Sequence, residues 1–343
     1  MPWEMIGQDR PIKSLTDMIQ SQRLPHGLMF TGTKGTGKYS LALSLAQALN
    51  CEKPQEDLSP CRKCPSCKKI ADQVHPDVMT LTPQGKLNII PIESIRELRE
   101  SLSFRPYEGK YKVAIIREAE RFREEAGGAL LKTLEEPTPE TILILTAQSP
   151  SSVMETLVSR CVKIKLRPLS RNQVLQTLTD KGFDLKASFI LAGLSGGALG
   201  VALDIDSEKI SSIWNNIDNV FGQAEPSRYL RAALEWSKTL ALLVGKVEKT
   251  ESEDQAKTSL VPQIVNCLRL WWRDVMVLAV TNDIEALLGP PPSVNQKKWA
   301  EKITARVIKG QEKAMARLTD GLNRSINVNM LFENYWLDMV EYL

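Results

Sequence analysis

The chain has 343 residues, more than one ordinary domain and enough for two or three. Its 44 basic and 41 acidic residues leave a formal charge of +3, which excludes a global polycation, so any nucleic-acid contact has to come from a local patch. Even the apolar stretch Trp271 to Val280 contains Arg273 and Asp274, which argues against a membrane span. The start Met1-Pro2-Trp3-Glu4 lacks the parts of a signal peptide. A cytoplasmic protein is expected, with six cysteines that are thiols or metal ligands and not disulfides.

From residue 1 to about 165, strand-like and helical segments alternate. Leu28-Met29-Phe30-Thr31 is a short apolar run, and Ser40 to Asn50 has helical spacing through Leu41, Leu45, Ala48 and Leu49. Val113 to Ile116 and Thr141 to Thr146 have strand length and composition. This alternation predicts an α/β fold with a parallel sheet covered on both faces. The pattern changes after Pro168. Residues 170 to about 205 read as short helices around Gly196-Gly197. From about residue 208 the period is helical, through Trp214, Leu230, Leu234, Leu240 and Leu243. The charged stretch Lys246 to Lys257 is expected as an exposed loop between helices, and Gly289-Pro290-Pro291-Pro292-Ser293 as a second break.

Gly32-Thr33-Lys34-Gly35-Thr36-Gly37-Lys38 lies between the first strand and the helix after it and fits a phosphate-binding loop. In such a loop the backbone N–H groups cradle phosphates and the lysine meets their charge, so Gly32, Gly35, Gly37 and Lys38 are candidates for holding ATP or ADP. The next residue should be a Ser or Thr that ligates Mg²⁺, but it is Tyr39, and Ser40 comes about 100° too far round the helix. The run Lys112-Val113-Ala114-Ile115-Ile116 should end in an Asp that holds the same ion; it ends in Arg117. Glu118 has two readings, a water-activating acid or an acid favouring the dipole of the next helix. Nucleotide binding is compatible with these residues, whereas hydrolysis is not expected.

Cys51, Cys61, Cys64 and Cys67 have the spacing C-x9-C-x2-C-x2-C, which lets four thiolates close on one tetrahedral ion. Such a set leaves no open position, so the expected metal is a structural Zn²⁺; the alternative is four reduced thiols in a loop. Cys161 and Cys267 stand alone and read as core residues, or for Cys161 as part of the following element. Ser159-Arg160-Cys161 places an arginine in a polar turn before the alternating segment Val162 to Leu166. Alone, that arginine is a solvated charge; in an assembly of P-loop ATPases it can enter a neighbour's site, an effect of ~10³–10⁵ in rate.

Together these motifs resemble the AAA+ clamp-loader family over nearly the whole chain. The likeness is carried by Ile6-Gly7-Gln8, by Arg23 to Gly32, and by Leu49-Asn50-Cys51 at the opening of the zinc module. It is carried also by Ala129 to Pro137, with Gly128 where Asn is usual, by Ser159-Arg160-Cys161, and by Asn327-Val328-Asn329 with Leu331. The resemblance implies an AAA+ core at 1–166, a small helical lid at 167–207 and an all-α collar at 208–343 that holds a five-subunit ring. Such a ring opens a sliding clamp and sets it on primed DNA for a replicative DNA polymerase. It also implies hydrolysing motor subunits of the gamma/tau type and a delta subunit as partners, and Arg160 as a trans-acting arginine. Gly200 stands where active relatives carry a nucleotide-sensing Arg. Three losses at one site, with Arg160 kept, point to a stator-like subunit and not a motor.

Arg96, in Ile95-Arg96-Glu97-Leu98-Arg99, resembles a helix near the ring interior and is a candidate for DNA-backbone contact; the same pattern fits a solvated charge on an amphipathic helix. His26 and His75 read as structural. An active motor-type ATPase and a zinc-containing nucleic-acid-binding protein on a relict ATPase fold are the competing readings. Against the motor reading, the chain stops soon after the collar; against the nucleic-acid reading, its net charge is near zero.

Overall fold

The computed structural model describes residues 3, 5–85, 87–222, 235, 253–324 and 328–342. Leu230, Leu234, Leu240, Leu243, residues 246–252 of the expected charged loop, and Asn327 lie outside the described residues. The chain forms two compact units, one of residues 1–173 with 197–201, the other of 174–196 with 202–343.

The first unit is built on five strands: β1 (Gly27–Thr31), β2 (Val78–Leu81), β3 (Lys112–Ile116), β4 (Thr141–Ala147) and β5 (Val162–Lys165). Their order is β2-β3-β4-β1-β5 and every neighbouring pair is parallel. Successive side chains on a strand face opposite ways, so an apolar run feeds two cores at once. Leu28, Phe30, Val113, Ile115, Ile142 and Ile144 pack with Leu41, Leu45 and Leu49 of α2 (Lys38–Asn50). Met29, Ala114, Ile116, Leu143 and Leu145 pack with Ile95, Leu98 and Leu102 of α4 (Ile92–Leu102), and with Ala126 and Leu130 of α5 (Glu124–Glu135). Helices therefore cover both faces, as the alternation of segments required. The remaining helices are α1 (Asp9–Gln20), α3 (Pro65–Ala71) and α6 (Glu155–Val158).

The second unit is helical. It includes α8 (Leu185–Leu194), α10 (Ser207–Gly222), α11 (Glu253–Thr281), α12 (Val294–Lys302), α13 (Ala305–Asn323) and α14 (Val328–Tyr342), while α7 (Arg171–Asp180) and α9 (Leu199–Asp204) each cross from one unit to the other. Its centre is aromatic: Phe221 stacks on Trp271 at 4.4 Å and meets Trp272, Trp299 and Trp336 edge-on or tilted. The break at 289–293 is anchored by Asp274, whose buried carboxylate accepts from the N–H groups of Leu288 and Gly289.

Two expectations need correction. Residues 253–257, read as part of a charged loop, form the first turn of α11. Glu118 does not open an α-helix. It takes a left-handed conformation (φ 51°) before a single 3₁₀ turn at Ala119–Arg121, and α5 starts only at Glu124, so Glu118 has no helix dipole of consequence to cap. No helix among the described residues is long and apolar enough to cross a membrane.

Candidate functional site

The phosphate-binding loop follows the C-terminal end of β1, a strand flanked by β4 and β5. Gly37 caps α2 at φ 90° and Gly35 lies at φ 80°, backbone positions that favour glycine. The ammonium of Lys38 is turned onto the loop itself, donating to the carbonyls of Gly32 at 2.6 Å and Thr33 at 2.9 Å. Burial lowers its pKa below the ordinary lysine value, opposed by the carboxylates of Glu120 and Glu118. The loop's own carbonyls thus satisfy the lysine.

The two departures from a magnesium site meet each other. The guanidinium of Arg117, just beyond β3, lies 4.6 Å from the centre of the Tyr39 ring, at cation–π distance. That ring packs against the core on the α2 side of the sheet, and its phenolic oxygen is buried without a hydrogen-bond partner among the described residues. Arg117 and Tyr39 stand at the two motif positions where a carboxylate and a hydroxyl for Mg²⁺ were expected, and they contact each other. Ser40 is exposed, as its position on the helix required.

Residues 197–201, part of the same unit, close over the loop. The N–H of Gly200 donates to the Gly35 carbonyl at 2.8 Å, and a Cβ on Gly200 would lie 3.0 Å from the Cα and the carbonyl oxygen of Gly35. A side chain there has no room without moving one backbone off the other.

Cys51, Cys61, Cys64 and Cys67 come together as expected, their sulfurs all within 4.8 Å of one another. A tetrahedral ion with Zn–S bonds of ~2.3 Å needs sulfurs about 3.8 Å apart, so the set fits a four-thiolate metal with a small contraction. The chain supplies donors to these sulfurs: the N–H of Cys61 points to Cys51 Sγ at 3.3 Å, that of Cys64 to Cys61 Sγ at 3.4 Å, and that of Cys67 to Cys64 Sγ at 3.4 Å. Backbone donors from Lys63 and Cys64 bring the Cys61 thiol down to about 6, while burial raises Cys51 and Cys67. Cys161 and Cys267 are buried core thiols, with Cys161 pushed up to about 11 by burial.

Buried polar groups that the sequence reading passed over tie this module to the segment before β3. Gln47 donates to the Cys67 carbonyl at 2.9 Å. Asn50 Oδ1 accepts from the N–H groups of Lys110 and Tyr111. The fully buried Asp77 carboxylate accepts from those of Tyr107, Glu108 and Gly109. Burial works against the Asp77 charge, yet these donors hold its pKa below the usual carboxylate value. His75 is likewise structural, buried between the Ser66 hydroxyl at 3.2 Å and the Asp77 N–H at 3.1 Å, and burial lowers its pKa. His26 meets the Thr141 carbonyl at 3.0 Å. Gln8, from the N-terminal signature, is buried and pairs with both backbone groups of Arg167.

Arg160 is exposed in the turn between α6 and β5. It is not a free solvated charge: Nη2 pairs with Glu135 Oε1 at 2.6 Å, and Nη1 donates to the Thr156 carbonyl at 3.0 Å. Arg96 is exposed on α4, at a cavity of about 430 Å³ that Arg99, Lys132, Glu100 and Glu136 also line. Its charge is thus mixed with acids and not part of a purely basic stripe. Asp77 left no signal in the sequence beyond being one acid among 41, and Glu135 entered only as a member of the Ala129–Pro137 block.

A family model described as DNA polymerase III, delta subunit, matches residues 7–170. The DNA polymerase III subunit delta' of Bacillus subtilis is 28% identical over 337 residues, covering 97% of this chain and 96% of its own length. The subunit tau/gamma of Haemophilus influenzae is 30% identical over 230 residues, covering 64% of this chain, which in turn spans only 33% of that relative. Among solved structures, a gamma subunit-related protein from Thermotoga maritima aligns over 96% of this chain and 99% of its own, at 18% identity and a TM-score of 0.43.

The five-stranded parallel sheet with its phosphate-binding loop is an AAA+ core, and the chain belongs to the clamp-loader family of DNA polymerase III subunits. Within that family, its likeness along the full length is to the delta-prime type.

Proposed function

We propose that this chain is a non-hydrolysing, stator-like subunit of a DNA polymerase III clamp loader that lends Arg160 to the ATPase site of a neighbouring motor subunit. The observation that carries the reading is the Arg117–Tyr39 contact at 4.6 Å, a cation on an aromatic ring at the place a magnesium ion would need. With no ligands for the metal, this chain's loop lacks the charge that phosphoryl transfer requires, while an arginine at the edge of the sheet stays available to another subunit.

In this reading the three parts are an AAA+ core at 1–166, a lid at 167–207 and a collar at 208–343, with the collar joining gamma/tau-type motor subunits and a delta subunit in one ring. Cys51, Cys61, Cys64 and Cys67 hold a structural zinc. That ion, once bound, crosslinks the end of α2 to the start of α3, and this chain's own Gln47, Asn50 and Asp77 extend the link to the segment before β3. Gly32, Gly35, Gly37 and Lys38 retain the cradle for ATP or ADP without turnover. Arg96 is assigned to sequence-independent contact with the backbone of primed DNA, and the sliding clamp is met through the whole assembly.

The deciding experiment is Arg160→Ala in a complex reconstituted with motor and delta subunits. Clamp- and DNA-stimulated turnover at the one motor site that Arg160 enters is expected to fall by ~10³-fold or more, the scale of a lost arginine finger. Unchanged turnover would end the proposal. The motor reading keeps one point in its favour, the intact Gly32–Lys38 loop; ATP hydrolysis by the purified chain, abolished by Lys38→Ala, would establish it instead.

A further inference from the structure

We propose that Glu135 is the positioning residue of Arg160: it holds the guanidinium in place at the sheet edge and gives it up to a phosphate of the neighbouring subunit when that site closes. The inference rests on the arginine-finger reading above and concerns how the finger is kept ready.

The geometry around Arg160 is built from three separate stretches of chain. Glu135 is the last residue of α5, and its Oε1 accepts from Arg160 Nη2 at 2.6 Å. From the other side, Nη1 donates to the Thr156 carbonyl at 3.0 Å and the Ser159 hydroxyl at 3.3 Å. A guanidinium has five N–H donors, so three are engaged and two stay available to an outside anion. The backbone of the turn is fixed as well. A Cβ on Gly27, at the start of β1, would lie 2.8 Å from the Arg160 carbonyl oxygen, 2.9 Å from Leu134 Cδ2 and 3.3 Å from Cys161 Sγ. The end of α5, the start of β1 and the arginine turn thus close on one another, with Glu135 next to the packed Leu134.

A pair with both partners one-third to one-half exposed contributes little to stability, because water screens it. Its effect is on conformation. A long arginine side chain loses its rotamer freedom when it engages a phosphate, and a tether that has already removed that freedom leaves less to lose in the transition state. The same exposure makes the tether releasable. A phosphate carries more negative charge than a carboxylate and accepts a bidentate pair, so the guanidinium can exchange one oxyanion for the other without passing through an unpaired state. The α5 end, which belongs to the Ala129–Pro137 block, then becomes the element through which this subunit feels whether its neighbour is engaged.

The test uses the reconstituted complex with wild-type chain, Arg160→Ala, Glu135→Ala, Glu135→Asp, and the Arg160→Ala/Glu135→Ala double variant, reading kcat and KM for ATP separately. Glu135→Ala is expected to lower kcat by about 10- to 100-fold with KM unchanged, a fraction of the whole finger's effect, and Glu135→Asp to recover part of it. The double variant is expected to equal Arg160→Ala alone, since Glu135 acts only through the arginine. Thermal melts of the isolated variants check folding and are expected to match wild type. A Glu135→Ala complex with wild-type kcat, or a double variant slower than Arg160→Ala, would overturn the tether and leave the finger standing. Wild-type turnover with Arg160→Ala would instead remove the finger reading itself.

Discussion

Magnesium should add nothing to nucleotide binding by this chain, and reversing two residues should change that. The Arg117 guanidinium lies 4.6 Å from the Tyr39 ring centre, so a positive charge stands beside the helix position from which a P-loop hydroxyl would ligate Mg²⁺. At ~4 Å and an effective dielectric of about 20, a unit charge pair is worth about 4 kcal/mol, so a divalent ion that close to the guanidinium would meet a repulsion of about 8 kcal/mol. Fluorescent ATP titrated into the wild-type chain is therefore expected to show the same affinity in Mg²⁺ as in EDTA. In the Tyr39→Thr/Arg117→Asp double variant, Mg²⁺ is expected to tighten binding at least tenfold, which needs only ~1.4 kcal/mol of the reversed field. Wild-type affinity that rises tenfold on adding Mg²⁺ would refute the argument that Arg117 excludes the ion.

Gly200→Arg is expected to loosen the packing of the 197–201 segment on Gly35. The new Cβ would lie 3.0 Å from Gly35, so one backbone has to give by a few tenths of an ångström, which strains the 2.8 Å hydrogen bond between them. Hydrogen exchange at the residue 200 amide reads this directly; unchanged protection would show that the contact tolerates a side chain. Asp77→Asn keeps the shape but loses the charge that accepts three backbone N–H groups, and is expected to cost about 1–3 kcal/mol at neutral pH. The folded pKa of Asp77 is depressed below its ordinary value of 3.8. Its contribution is therefore full above that value and lost as pH falls through the folded pKa. Melting curves of wild type and variant should accordingly converge only under strongly acid conditions. Equal melts at pH 7 would show that the three donors find other acceptors.

Much of the architecture was legible one segment at a time. The short apolar runs announced β1, β3 and β4 because a strand buried on both faces is apolar at nearly every position. The loop Gly32–Lys38 could be read because its glycines answer to local φ values, as Gly35 and Gly37 confirm. The cysteines could be read because two-residue gaps bring thiols together whatever the surroundings, and their sulfurs do converge. Where context competes with local preference, the reading went astray. Glu118 was expected to open a helix, but the chain turns once and waits until Glu124.

The sequence by itself determined the composition of each segment, including that Tyr39, Arg117 and Gly200 depart from the residues expected at their motif positions. It could not say that Tyr39 and Arg117 touch, that Gly200 lies on Gly35, or that Glu135 holds Arg160. Those pairings come from the order of the sheet, which sets β4 between β1 and β3 and thereby decides which loops share its edge. Periodicity is fixed by a few neighbouring dihedrals, whereas partners on different loops are chosen only when the strands have packed.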